Sequence, residues 1–71
     1  MSHHVVSDLV ANVAQIHVAV GDVVEVGDEI ALLESMKMEI PVLTEEAGTI
    51  TEVKVQAGDV VQEGDILAIV G

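Results

Sequence analysis

Two stretches of the chain have nearly the same sequence and decide how it folds. Residues 20–28 are Val-Gly-Asp-Val-Val-Glu-Val-Gly-Asp, and residues 57–65 are Ala-Gly-Asp-Val-Val-Gln-Glu-Gly-Asp. Glycine accepts positive φ and aspartate bonds to nearby backbone, so each Gly-Asp pair predicts a turn. Each stretch therefore predicts two turns with a short Val-Val strand between them.

These stretches belong to a longer internal duplication. With an offset of 37, residues 11–34 align with residues 48–71, and eight of the 24 aligned positions are identical. In both copies the alternation of apolar residues slips at the same place, after Val13 in the first and after Ile50 in the second. Since period-two alternation marks one face of a strand, the matching slips predict a bulge or a sharp bend in each copy.

The apolar pattern predicts short strands and no helix. Val, Ile and Leu supply 26 of the 71 residues, and β-branched side chains suit the pleated surface of a strand. Two matching halves predict an all-β sandwich or flattened barrel with a quasi-two-fold axis, whose core neither half builds alone. The strands are expected at residues 5–10, 12–20, 23–26, 29–34, 38–43, 48–56, 60–63 and 66–70.

The composition restricts the function classes. The length predicts one domain over residues 1–71, and the formal charge of −11 comes from 13 carboxylates against only Lys37 and Lys54. This balance opposes binding to nucleic acids and to anionic membranes. It is typical of a solubilising surface, with a basic partner as the alternative. With no membrane-spanning or export segment, a cytoplasmic location is expected.

Groups for catalysis or metal binding are scarce. The chain has no cysteine, and its few serines and histidines suggest no nucleophile, base and orienter, so no catalytic residue is expected. His3 and His4 are a weak metal pair, but a frayed terminus is the preferred interpretation. The Gly-Asp spacing matches neither known calcium repeat. No metal site is expected, and the chain is predicted to be a platform for a group on which other proteins act.

Residues 29–43 predict a hairpin whose tip lies near Met36 and Lys37. Two-residue tips favour Asn-Gly, because both positions need positive φ, so Met-Lys implies either a wider turn or a conformation held at local cost. Met36 and Met38 are large apolar residues at a solvated tip, which suggests that a partner recognises them. Pro41 lacks a backbone donor and is expected at a sheet edge or near a strand start.

Lys54 is the other lysine. It alternates with Val53 and Val55, so it is predicted to point outward from a strand into solvent. It is therefore the weaker candidate for a functional amine.

The segment Glu34-Ser35-Met36-Lys37-Met38-Glu39 resembles the attachment motif of biotinyl domains, the carrier modules of biotin-dependent carboxylases. The resemblance covers nearly the whole chain, including Ala47-Gly48-Thr49-Ile50 and the closing Gly-Asp repeat. It implies a flattened barrel of two four-stranded antiparallel sheets with the lysine on a hairpin tip. The chain is similar to family members that lack a protruding thumb loop. It departs from the family at Ala11-Asn12, where a glycine is common.

The resemblance also implies a function. A biotin protein ligase would attach biotin to Lys37, recognising Met36 and Met38, with Glu34, Ser35 and Glu39 flanking the motif. The chain itself would be a non-catalytic carrier of carboxyl groups. Its partners would be a biotin carboxylase and a carboxyltransferase, probably those of an acyl-CoA carboxylase, and the domain would be free-standing or cut from a larger chain. A lipoyl carrier of a 2-oxo acid dehydrogenase type complex is the alternative, although lipoyl domains usually have Asp before and Ala or Val after the lysine.

Overall fold

The computed structural model describes residues 2–71 and contains eight β-strands, each of which overlaps a predicted strand. Residues 2–71 contain no helix, and hence none that could cross a membrane. The strands are β1 (His3–Val6), β2 (Ala11–Ile16), β3 (Val23–Val24), β4 (Glu29–Ser35), β5 (Met38–Leu43), β6 (Gly48–Val53), β7 (Val60–Val61) and β8 (Ile66–Val70).

The strands form two four-stranded antiparallel sheets, in the orders β1-β8-β6-β3 and β5-β4-β2-β7. The offset of 37 residues converts one order into the other, with β1 taking the place of β5. This confirms the all-β fold and the quasi-two-fold relation of the halves. Four of the pairings, β1 with β8, β2 with β7, β3 with β6 and β4 with β5, are nested around the β4–β5 hairpin.

The predicted irregularities lie at equivalent positions in the two sheets. The register between β2 and β4 shifts between Val13 and Gln15, and the register between β6 and β8 shifts between Ile50 and Glu52. These positions differ by the offset of the duplication. The bulges let each long strand leave one ladder and continue towards the other half.

All four Gly-Asp pairs form turns of one kind. Their glycines have φ between 90° and 98°, and each aspartate carboxylate accepts a hydrogen bond from the backbone N–H three residues earlier. These bonds therefore close the turns that separate the short strands. They run from Ala19 to Asp22, Glu25 to Asp28, Gln56 to Asp59 and Gln62 to Asp65, at 2.8–2.9 Å.

The N-terminal predictions were wrong in detail. His3 and His4 are not frayed, because they pair with Val70 and Ile69 of β8, and the first strand covers residues 3–6 instead of 5–10. The strand ends because the buried Ser7 hydroxyl donates to the Leu9 carbonyl oxygen at 2.6 Å and turns the chain. Residues 8–10 then bend before β2.

The apolar core consists of two clusters, and each draws residues from both halves. Ile30 and Leu67 are equivalent in the duplication and are both fully buried, one at the centre of each cluster. The prediction that neither half builds a core alone is thereby confirmed. The first cluster contains Val5, Val24, Ile30, Ile50, Ala68 and Val70, and the second contains Ala11, Val13, Ala31, Leu33, Val61 and Leu67.

The positions predicted for Pro41 and Lys54 are also found. Pro41 lies opposite Leu32 in β5, which is the edge strand of its sheet, so its missing N–H costs no inner ladder bond. Lys54 is exposed just beyond the end of β6 and forms an ion pair with Glu52 at 3.0 Å.

Gly48 begins β6 where the other half has Ala11. A side chain at Gly48 would collide with the carbonyl oxygen of Gly71 and come within 2.9 Å of Cγ1 of Val70, whereas Ala11 fits into the core. The first half therefore needs no glycine at this place, which accounts for the departure from the family pattern.

We expect Gly48→Ala to lower the free energy of unfolding by about 1–3 kcal/mol, because the added methyl group overpacks the close approach to Gly71. Urea denaturation followed by circular dichroism measures the change. Thr49→Ala, at the next and exposed position, is the control and should change stability by about 0.5 kcal/mol or less. A neutral Gly48→Ala would show that the close approach is not required.

Candidate functional site

The hairpin of β4 and β5 ends in a two-residue turn formed by Met36 and Lys37. Ser35 and Met38 form the last cross-strand pair, and the turn residues have φ of 51° and 66°. They are the only non-glycine residues of the described chain with positive φ. Two positive φ values define the tight hairpin turn that favours Asn-Gly. Of the two predicted possibilities, the structure therefore has the narrow turn held at a local cost.

The ladder behind the turn compensates for this cost. A left-handed residue with a Cβ atom costs roughly 1–2 kcal/mol. Six cross-strand pairs, from Glu29–Leu43 to Ser35–Met38, join β4 to β5. Leu33 is fully buried and lies opposite the partly buried Ile40, so the hairpin is anchored in the core two residues from the turn. The anchored strands impose the geometry of the tip.

The three residues at the tip are open to solvent. Met36 is 92% exposed, Met38 is 61% exposed, and Lys37 is also exposed. Among residues 2–71 the ion pairs are His17–Glu29 and Lys54–Glu52, so the Lys37 amine is held by no carboxylate. A primary amine on a projecting turn, free of an ion pair, can be reached by an enzyme that joins it to a carboxyl group as an amide.

The remaining motif residues are arranged symmetrically about the turn. Glu34 lies directly opposite Glu39, and Ser35 lies directly opposite Met38. Both glutamates are exposed, whereas Ser35 is half-buried. Like charges directly opposite each other in a sheet are mildly destabilising. The structure thus brings all six predicted site residues together within one hairpin end, with two carboxylates behind the lysine.

Two residues that the sequence analysis did not single out continue the row of Glu34 and Glu39. Asn12 of β2 pairs with Glu34 on one side and with Val60 of β7 on the other. Residues in one row of a sheet share a face, and Val60 is 66% exposed on it. The tip therefore adjoins an exposed surface that combines two carboxylates, an amide and an apolar side chain. Only the pairing of β7 with β2, remote in sequence, creates it.

The site lies at one end of an elongated molecule of 33 × 17 × 17 Å. The row behind the tip contains the start of β2, whereas Gly71 lies beside Thr49 at the start of β6, the equivalent place in the other sheet. The lysine turn and the last residue are thus at opposite ends of the barrel.

Comparison with known sequences assigns the chain to a family. The sequence profile of a family described as "Biotin-requiring enzyme" matches residues 4–70. A biotin/lipoyl attachment protein of Bacillus subtilis is 49% identical over 42 residues, 59% of this chain and 58% of the relative. A biotinylated protein TB7.3 homologue of Mycobacterium leprae is 48% identical over 50 residues, 70% of each chain.

Solved structures share the fold over most of the chain. A urea carboxylase of Kluyveromyces lactis matches with a TM-score of 0.92 at 30% identity, covering 100% of this chain and 6% of the enzyme. A single-chain, multi-domain long-chain acyl-CoA carboxylase matches at 0.89 and 26% identity, covering 96% of this chain and 7% of the enzyme. The lipoyl domain of the 2-oxoglutarate dehydrogenase complex from Azotobacter vinelandii matches at 0.74 and 31% identity, covering 87% and 78%.

We expect the double variant Met36→Asn, Lys37→Gly to raise the free energy of unfolding by about 1–2 kcal/mol, because Asn-Gly accepts two positive φ values at little cost. Thermal or urea denaturation measures the gain. Met38→Asn is the control, since Met38 lies on the strand and not at positive φ, and it should bring no gain. Equal stability of the double variant and the parent would show that the tip is not strained.

Proposed function

We propose, from the premise that the chain belongs to the biotin/lipoyl attachment family, that it carries biotin bound covalently to Lys37. The observation that carries the proposal is the tip itself. An unpaired lysine amine projects from a strained two-residue turn between two exposed methionines, at the position of the attachment motif. Apolar side chains with this exposure are unexpected at a solvated tip unless a partner binds them.

Two comparisons favour biotin over lipoate. Relatives that are 48% and 51% identical are described as biotinylated proteins, and the carboxylases match the fold with higher TM-scores than the lipoyl domain. The methionines on both sides of Lys37 favour biotin as well. Because the family includes both kinds of carrier, a lipoyl carrier remains the second candidate.

The chain's own contribution to the chemistry is positional. The Lys37 nitrogen, once it has lost a proton to the modifying enzyme, attacks the activated carboxyl group of biotin, and an amide bond forms as the activating group leaves. When bound, biotin supplies a ring nitrogen that accepts and gives up a carboxyl group. The β4–β5 ladder holds the attachment point clear of the barrel, so a tethered group meets its enzymes at high effective concentration. Catalysis belongs to the partners.

The partners follow from this role. We infer that a biotin protein ligase modifies the tip, and that a biotin carboxylase and a carboxyltransferase use the modified chain, as parts of an acyl-CoA carboxylase in the cytoplasm. Two observations support this choice. One structural neighbour is an acyl-CoA carboxylase, and the −11 charge suits a basic docking surface. The matched region is 58% of the length of one relative and 6% of the urea carboxylase, so the remaining parts of those proteins are not represented here.

Intact mass after incubation with a biotin protein ligase, biotin and ATP tests the attachment. The chain should gain the mass of one biotinoyl group, because Lys37 is the exposed lysine without an ion pair. Lys37→Arg should abolish the gain, and Lys54→Arg, the matched control, should leave it unchanged. Modification that persists in Lys37→Arg would refute the assignment, and a lipoyl mass on chain purified from cells would favour the second candidate.

The role of the methionines is tested with Met36→Asp, Met38→Ala, which gives the lysine the flanks typical of lipoyl domains. We expect the rate of biotin attachment to fall by about tenfold, equivalent to about 1.4 kcal/mol of lost recognition, and lipoate attachment by a lipoate ligase to rise.

Val20→Asp, Val26→Ala is the matched control. It makes the same kind of change at side chains that are 65% and 67% exposed but lie away from the tip. An equal loss of rate in both double variants would point to a general effect of charge. Unchanged rates would remove the methionines from recognition and leave the assignment of Lys37 intact.

A further inference from the structure

The side chains of this chain that hydroperoxides oxidise most readily are concentrated at the tip. The sequence has three methionines and no cysteine, tryptophan or tyrosine. Two of the methionines, Met36 and Met38, lie on either side of Lys37. An oxidant that reaches the described part of the molecule therefore finds its thioether targets within one residue of the lysine.

We propose that the tip is a reversible oxidation site, at which a hydroperoxide converts Met36 and then Met38 to the sulfoxide and thereby slows modification of Lys37. The thioether sulfur attacks the terminal oxygen of the hydroperoxide. The O–O bond breaks, the S–O bond forms, and the oxidant leaves as water or an alcohol. Sulfur is oxidised by two electrons, the hydroperoxide is reduced by the same two, and no further reactant is needed.

Exposure sets the order of the two reactions. Met36 is 92% exposed on the turn, so almost all of its side chain meets solvent, whereas Met38 is 61% exposed on the first residue of β5. Ser35, opposite Met38, is half-buried, so this pair lies closer to the body of the barrel. Met36 is therefore oxidised first.

The fold survives the oxidation. Sulfoxides are polar and disrupt the packing of buried methionines, but neither Met36 nor Met38 belongs to the two core clusters. The nearest fully buried anchor of the hairpin is Leu33. Oxidation changes the surface of the tip and leaves the ladder that positions Lys37 unaltered, so it acts as a switch and not as a lesion.

The consequence for modification rests on the proposed function. A flexible apolar thioether becomes a polar, chiral group with a strong hydrogen-bond acceptor, on both sides of the amine that a ligase must reach. An apolar pocket that accepts methionine must then desolvate a sulfoxide, which costs binding energy. Methionine sulfoxide reductases, one for each sulfoxide epimer, restore the thioethers.

The experiment compares unmodified chain before and after limited treatment with hydrogen peroxide. Peptide mass mapping should show one added oxygen at Met36 before Met38, with an unchanged urea midpoint. The oxidised chain should then accept biotin about tenfold more slowly from a biotin protein ligase, and reductase treatment should restore the rate. Met36→Leu, Met38→Leu, which keeps the apolar flanks, should be modified at the same rate with and without peroxide.

The outcomes separate the two proposals. Untreated chain that accepts no biotin would contradict the proposed function, whatever the oxidation results. Protection of Met36 from peroxide, or unfolding on its oxidation, would overturn the oxidation site. Equal rates of biotin attachment to oxidised and unoxidised chain would overturn its control over Lys37.

Discussion

The ladder between β4 and β5 keeps Met36 and Lys37 in a backbone conformation that their side chains do not favour. The turn alone offers no compensation for two positive φ values, so the stabilisation comes from the cross-strand pairs behind it and from the burial of Leu33. That burial in turn depends on the second half of the chain, because the cluster around Leu33 also contains Val61 and Leu67. The position of one exposed lysine therefore depends on apolar packing across the whole barrel.

The duplication serves this arrangement by sharing the core between the halves. Each Gly-Asp turn is closed by its own aspartate, so the short strands are set by local bonds, and the bulges in β2 and β6 carry each half across to the other. The halves differ where their ends differ. β4 continues through the lysine turn into β5, whereas β8 ends beside Gly48, whose missing side chain makes room for Gly71.

Local chemistry made much of the fold predictable from the sequence. The turns, the bulges and the edge position of Pro41 all follow from residues close together in the chain. The extent of the first strand did not, because its end is set by the side chain of Ser7 and its start by pairing with β8. At the tip, the motif residues were predictable but the width of the turn was not, since Met-Lys alone fits a wider turn as well as a strained one. Asn12 and Val60 join the site only through β7, whose pairing no local pattern indicates.

The nested strand pairing has a consequence for how the chain folds. β4 and β5 are joined by the shortest connection of any paired strands, and the other three nested pairs close progressively larger loops around them. Loop closure costs more entropy as the loop grows, so the hairpin is expected to form first and the outermost pair, β1 with β8, last. The strained lysine turn would then oppose the earliest step of folding. Relief of its strain should speed folding more than it slows unfolding.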